Sequence, residues 1–587
     1  MASAYVGCTV DFLLCQGTGR VLFLFANSAA RPYNKSMDKN IAITFPDGRT
    51  IAARNEVTPL SLLSDFEQKD EAILAVRVNN EIQPLDFPVS INANIEPVYA
   101  NSPAGAAIYR RSLCFVLGAA AHICFPGARL LVGHSLGHGY YYTLDPGAPF
   151  TQEQARTLKA QMEKLIAEDH PIASGYISYK DACDNFESLG LSETRKQLNY
   201  RCPGQVRVNT LADFTDLYFG PLVYRTGLLS VFDLMSYHEG FLLRFPMHTQ
   251  TDKLRQFEDE PKLFEIYRRY KDWGKRLDVT SVASLNQLIH DRKVNDFINI
   301  TETLQTRCIA GIADQILARG TARVVLIAGP SSSGKTTTSK KLAMQLEAVG
   351  YQPKVIALDN YYVGREQTPR DEHGNYDYEC LEALNIQLLN ENLIDLFAGK
   401  TIKPPSYDFH DGISYFSGET MALGEHDILV MEGIHGLNDK LTPLIPPEKK
   451  FKIYLSALTQ LNLDDHNRIS TSDNRLVRRI VRDAHFRGKS AADTIAMWNN
   501  VRKGERLHIF PFQNNADAML NTALDYEISV LKVYAEPLLH CVTPLQREYA
   551  EASRLLQFLN YFSTIPETAV PAHSIIREFI GGSAFRY

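Results

Sequence analysis

Apolar and polar positions change rhythm several times along this 587-residue chain, and each change predicts an element. Residues 1–100 carry short alternating runs, "NIAITFPDGRT" and then "ILAVRVNNEIQPLDFPV". These predict strands that reverse at Asp47-Gly48 and at Asn79-Asn80. The alternation gives way at "RRSLCFVLGAAAHICF", whose apolar spacing predicts a helix, and a glycine- and tyrosine-rich segment "VGHSLGHGYYYTLD" follows. Helical spacing returns from Gln152 to about Glu168, then in "KLFEIYRRYKDWGKRL" and "LQTRCIAGIADQIL". Beyond residue 320, "ARVVLIAG" is a continuous apolar run. A glycine- and serine-rich loop, the helical "TTTSKKLAMQLEAVG" and a second apolar run "PKVIALD" come after it. Strand, loop, helix, strand opens an α/β unit on a parallel sheet.

The length exceeds one core, so several domains are expected. We divide the chain into a β-rich module (1–100), an α+β region (101–245), a helical connector (246–315) and an α/β domain with a C-terminal extension (316–587). Its composition is that of a globular protein, 45% hydrophobic and 22% charged, and the net charge of −6 argues against general adhesion to nucleic acid or anionic membrane. No run approaches the roughly 20 apolar residues of a spanning helix, and the N-terminus carries no signal pattern, so a cytoplasmic, membrane-free protein is expected. Nine cysteines without paired two-residue spacing predict reduced thiols.

Candidate chemistry centres on "VLIAGPSSSGKTTTSKKL". Gly329, Pro330, Ser331, Ser332, Ser333, Gly334, Lys335 and Thr336 satisfy G-x-x-x-x-G-K-[ST], and Thr337 continues into the helix. Glycines let successive amides turn inward, and the following helix offers its positive end to phosphates. Lys335 can reach the β/γ-phosphates and Thr336 can ligate magnesium, so ATP and Mg2+ are the expected cofactors. Glu432 ends the apolar run of "HDILVMEGIHG" at the carboxyl edge expected for ligands, as a second magnesium holder or a plain surface glutamate. Asp359 ends the run "VIAL" in the same way, placed to take the proton of an attacking hydroxyl. Tyr361, Tyr362, Asp377, Tyr378 and the Tyr407-Asp408-Phe409 cluster of "KPPSYDFHDG" offer rings and acceptors to a polar ring or sugar, although any one aromatic can equally be core. In "NRLVRRIVRDAHFRGKS", Arg475, Arg478, Arg479 and Arg482 share a helix face, with Arg487 and Lys489 beyond. Transferring phosphates would balance that charge. An RNA-facing helix and a solvated charge run are the alternatives.

The order of "GPSSSGKTT", "LDNYY", "YDYE", "YDF", "EGIHG" and the arginine helix resembles that of uridine kinases and their phosphoribulokinase relatives, over about residues 320–540. The resemblance implies a P-loop kinase fold with Asp359 as base, Asp377 and Tyr407 around a nucleoside, Arg479 at the acceptor, and Arg482 and Arg487 in a lid that closes on ATP. Departures lie in the acceptor pocket. Gly412 stands where the family has a histidine, with His410 nearby, and Lys489 replaces a second acceptor-side arginine.

Residues 1–100 resemble the TGS domain, a β-grasp-like module, of threonyl-tRNA synthetases, and the next region resembles that enzyme's editing-associated domain through "HSLGHGYYYTLD" and "FTDLYFGPL". The editing pattern is missing. Its two histidines fall on Arg111 and Phe115, its cysteine on Tyr218 and its later histidine on Leu222. His134 and His138 are four apart, but glycines bound them, so zinc ligation, a turn or groove role, and ordinary structural histidines all stay open. Two functions are therefore weighed. One is an ATP- and Mg2+-dependent kinase of a nucleoside, most readily uridine- or cytidine-like, or another small hydroxyl compound. The other is an ATP-dependent RNA-binding or translation-associated factor. RNA contact through the front domains and homo-oligomer formation stay open.

Overall fold

The computed structural model describes residues 40–66, 71–145, 149–372, 374, 376–408 and 411–586. Residues 1–39 of the first module, and His410 and Phe409 of the acceptor cluster, lie outside the described residues.

The first sheet orders its strands Thr50–Ala53, Ile41–Thr44, Ala93–Tyr99, Ile73–Val78 and Glu81–Gln83. Both expected reversals occur. Gly48 sits at φ 84°, and Asn79 and Asn80 at 48° and 63°, the left-handed pair that a tight two-residue hairpin needs. Helix Pro103–Cys124 follows, started by Ser102, whose hydroxyl accepts from Gly105 N at 3.0 Å. It packs in one apolar core with helix Gln152–Ala167 and a four-stranded antiparallel sheet in the order Asp233–Tyr237, Gly240–Arg244, Gly139–Asp145, Arg129–Leu136. "GHSLGHG" is a hairpin and not a helix, turning at Gly137 (φ 49°) and His138 (φ 62°). His134 is buried beside Ser135 O (2.8 Å) and Thr471 Oγ1 (3.2 Å), and burial pushes its pKa down to about 3.

Helices Pro261–Arg276, Val282–His290 and Val294–Arg319 lead to a five-stranded, all-parallel sheet. Its order is Gln352–Ala357, Asp427–Glu432, Val324–Ala328, Lys450–Ser456, Ala518–Asn521. The central strand is buried throughout. Val325 and Ile327 pack with Ile309, Ile316, Leu342 and Leu346 of two helices, while Val324 and Leu326 pack with Leu389, Leu393 and Leu396 on the opposite face. Burial on both faces explains why this strand reads as an unbroken apolar run. Helices Thr471–Phe486, Ala491–His508, Glu527–His540 and Tyr549–Leu559 form a further core.

A segment following the fourth sheet strand binds the front region to this domain. Asp465 accepts from Glu193 N (2.8 Å) and Thr194 N (3.1 Å), the free amides at the start of helix Ser192–Arg201, and pairs with Arg129 at 2.6 Å. Buried His466 pairs with buried Asp216 at 2.7 Å, and Asn462 donates to Val132 O at 2.7 Å. No helix among the described residues is long and apolar enough to cross a membrane. The seven described cysteines are unpaired.

Candidate phosphate-binding site

The loop between strand Val324–Ala328 and helix Lys335–Ala348 leaves the middle of the sheet, so both neighbouring strands contribute to its surroundings. Gly329 is required by space, because a Cβ there would lie 2.4 Å from Leu455 O. Gly334 is required by conformation, at φ 79°. Lys335 Nζ folds back on Gly329 O (3.1 Å) and Pro330 O (3.2 Å). The Ser332 and Ser333 hydroxyls are buried without a hydrogen-bond partner. Orphaned donors beside a helix start fit an anion.

Thr336 Oγ1 donates to Glu432 Oε1 at 2.9 Å. Residues 96 positions apart thus bring one hydroxyl and one carboxylate together at the strand ends. Burial, then the charge of Asp359, pushes the Glu432 pKa up to about 7 against Lys335 and the Thr336 bond. Among the described residues no three His, Cys, Asp or Glu are grouped to hold a metal. A hydroxyl and a single carboxylate suit Mg2+, which takes few protein ligands and completes its shell with phosphate and water oxygens.

Asp359 lies in the short turn Leu358–Tyr361 that follows its strand. Burial raises its pKa, while Lys335, Arg487 and Arg482 oppose the rise. Asp359 is therefore within electrostatic reach of the loop lysine and of both expected lid arginines. Tyr362 and Tyr407 are buried with ring centroids 5.6 Å apart, and Tyr378 lies edge-on to Tyr362 at 6.0 Å. Asp377 turns its carboxylate to Glu379 N at 3.0 Å. Gly412 occupies a hairpin turn at φ 72°, a conformation that favours glycine, and a Cβ there would lie 2.7 Å from Arg365 Nε, so a larger residue would strain the turn and displace the Arg365 side chain. Lys489 reaches Met497 Sδ at 3.4 Å. Glu379, the last residue of "YDYE", carries no local sequence signal of its own. Burial, then Glu505, raises its pKa to about 7, with Arg479, Lys335 and Asp359 within reach.

The arginine helix corrects one expectation. Arg475 and Arg478 do not face a free anion site, because both are buried on internal carboxylates. Arg475 Nη2 lies 2.9 Å from Glu505 Oε2 and its Nη1 3.1 Å from Ser331 O. Glu505 Oε1 accepts Ser331 N at 3.1 Å. Arg478 pairs with Glu527 at 2.5 Å and donates to Ser332 O at 3.1 Å. Thr522 Oγ1 donates to Ser333 O at 2.6 Å. These residues brace the loop from behind. Arg479 instead donates to Ser331 Oγ at 2.8 Å, and Asp483 joins Arg479 (3.2 Å), Arg482 (3.5 Å) and Arg487 (3.5 Å). Burial, then Arg487, lowers the Arg482 pKa to about 10.

In the front region, Arg111, Phe115, Tyr218 and Leu222 do come together, as a packed plug. The Phe115 and Tyr218 rings meet edge-on at 5.3 Å, Leu222 shares their core, and Arg111 donates to Pro221 O at 2.8 Å.

Residues 324–529 match the Phosphoribulokinase / Uridine kinase family. Threonine–tRNA ligases are similar to another part of the chain. That of Oleidesulfovibrio alaskensis is 28% identical over 212 residues, 36% of this chain and 33% of that protein. That of Desulforamulus reducens is 32% identical over 200 residues, 33% and 31% of the two. The chain thus spans about a third of the length of these curated relatives. A solved structure titled as a possible uridine kinase from Bacillus stearothermophilus is 20% identical, covers 37% of this chain and 98% of its own, and has a TM-score of 0.25. The chain therefore joins a region similar to threonine–tRNA ligases to a C-terminal phosphoribulokinase/uridine kinase-like domain.

Proposed function

We propose that this protein transfers the terminal phosphoryl group of ATP to a hydroxyl of a small acceptor, with a uridine- or cytidine-like nucleoside as the first candidate. The observation that carries the reading is Asp359 within electrostatic reach of Lys335, Arg487, Arg482 and Glu432, the last of which accepts Thr336 Oγ1. In this account Asp359 takes the acceptor proton as the acceptor oxygen bonds to phosphorus and the bond to ADP breaks. Gly329 to Thr337 hold the phosphates, and Lys335 swings from its own loop carbonyls to them. Thr336 and Glu432 would hold Mg2+, which would offset charge on the phosphate oxygens. Tyr362, Asp377, Tyr407, Arg479 and Lys489 line the acceptor, with His410 a further candidate. Arg482 and Arg487 close over ATP and exclude water. The division at residues 100, 245 and 315 belongs to the same reading, with the front regions serving recognition or regulation.

One observation favours a second reading, an ATP-dependent RNA-binding factor. Arg110 from the front region and Arg502 and Arg506 from helix Ala491–His508 lie within electrostatic reach of one another and of His248, with Asp473 partly offsetting them. Burial and these like charges lower the pKa of both Arg502 and His248. Phosphates of RNA would balance such a group. The test is γ-labelled ATP with Mg2+ and a panel of nucleosides, polyol phosphates and RNA. A labelled small product supports the kinase, whereas turnover stimulated only by RNA supports the second reading. Lys335→Ala should lose most turnover, and a folded variant with normal turnover overturns the site.

A further inference from the structure

The helix after the phosphate loop makes its first internal bond from Thr338 N to Gly334 O, at 3.0 Å. The amides of Lys335, Thr336 and Thr337 therefore have no partner within the helix, and they are the donors that a bound phosphate chain would use. One of them is already taken. Glu578, 241 positions further along, accepts Thr337 N at 3.1 Å and Thr337 Oγ1 at 2.6 Å through a single oxygen, Oε2. Its carboxylate also lies within electrostatic reach of Arg482, Glu432 and Lys340.

Glu578 does not arrive alone. Ile575 Cγ2 lies 2.6 Å from where a Cβ on Gly334 would stand, so the segment seats directly on the loop's left-handed turn. Phe579 lies under the Arg478 guanidinium at 5.1 Å, and Ser574 meets Tyr526 OH at 3.3 Å. Lys340, one turn beyond Thr337, donates to the backbone carbonyl of Arg586. Gly581 approaches Phe486 at the end of the arginine helix, between the two expected lid arginines Arg482 and Arg487. The segment thus spans from the first turn of the phosphate helix to the base of the lid.

We propose that Glu578, with the segment Ser574–Arg586, is an internal occupant of the phosphate site, and that ATP binds by displacing the Glu578 carboxylate from Thr337. The proposal rests on the nucleotide-binding reading of this loop. A carboxylate and a phosphate oxygen cannot both take the single Thr337 N–H, and like charges at that separation repel. Without ligand, Glu578 satisfies an amide and complements the positive helix end. With ligand, the phosphate chain does both, and the carboxylate opposes it. The C-terminal segment then sets the affinity of the site and couples its filling to the lid.

The test compares full-length wild type, Glu578→Gln, Glu578→Ala and Lys335→Ala. Calorimetry measures binding of Mg2+–ATP, tripolyphosphate and adenosine, and amide exchange is followed over residues 574–586. Glu578→Gln should bind ATP and tripolyphosphate at least tenfold more tightly, with adenosine binding unchanged. Its ligand-free melting temperature should fall, since Thr337 loses a charged acceptor. In wild type, ATP should speed amide exchange across 574–586 while protecting the loop. Affinity gained as ligand-free stability is lost separates an occupant from a simple helix cap, whose loss would weaken both. If Glu578→Gln and Glu578→Ala bind as wild type while Lys335→Ala does not bind, the displacement idea falls and the nucleotide site stands. If no variant binds ATP or tripolyphosphate, the nucleotide reading falls and takes the proposal with it.

Discussion

Replacing Arg478 by alanine should unfold the C-terminal core more readily without acting directly on a phosphate. Its side chain is fully buried, and its guanidinium bonds Glu527, Thr522 O (2.8 Å) and Ser332 O (3.1 Å). Truncation leaves the Glu527 carboxylate, itself 2% exposed, without its ion partner. Removing one member of a buried pair costs about 3–5 kcal/mol. With a urea dependence of about 3 kcal/mol per molar, the midpoint should fall by roughly 1 M or more. Tryptophan fluorescence reports this, because Trp498 lies in the same core as Tyr526 and stacks on Arg475 at 5.4 Å. A Trp273→Phe background removes the other tryptophan, one of two in the chain. The double variant Arg478→Met/Glu527→Leu should recover part of the loss, since neither charge then remains buried. An Arg478→Ala protein with the wild-type midpoint and lost ATP affinity would refute the bracing role and return this arginine to the phosphates.

Asp464 is buried, and burial, then Asp216, pushes its pKa up to about 8. A carboxyl raised in the folded state contributes stability that is full below its unfolded value and is lost as pH rises through about 8, so the melting temperature should rise from pH 8.5 to 6.5. That slope should flatten in Asp464→Asn. In the front region, a deacylation assay with mischarged tRNA should show no hydrolysis, and Phe115→His alone should not create it. Robust hydrolysis would mean that another set of side chains performs the chemistry. Arg482→Ala and Arg487→Ala should raise ATP hydrolysis relative to acceptor phosphorylation, because an incompletely closed lid admits water. An unchanged ratio removes both from the lid.

Local signals in the sequence were legible where the chain contacts itself nearby. Asn79-Asn80 announces its hairpin, and the loop from Gly329 to Thr336 announces the strand and helix that flank it. The 3.6-residue spacing also placed Arg475, Arg478 and Arg479 on one helix. It could not say what that helix faces. Arg475 meets Glu505, 30 positions on, and Arg478 meets Glu527, 49 positions on, and nothing in either glutamate's neighbourhood marks it as a buried partner. Glu578 lies farther still from Thr337. For the histidine pair, the glycines that bound it in the sequence were the informative signal, and they favour a turn and structural histidines over a helical ligand pair. A spacing of four carries meaning on a helix, but Gly137 and His138 turn the chain between two strands.

Phosphoryl transfer in this protein is predicted to depend most directly on Asp359. The measurement is ATP consumption beside acceptor phosphorylation in wild type and Asp359→Asn, an exchange that nearly preserves size. We predict that the variant keeps its ATP affinity while phosphoryl transfer falls roughly 10²- to 10⁴-fold, the range of lost acid–base assistance. The contradictory result is an Asp359→Asn protein that behaves as wild type, with ATP turned over and no small hydroxyl compound phosphorylated by either.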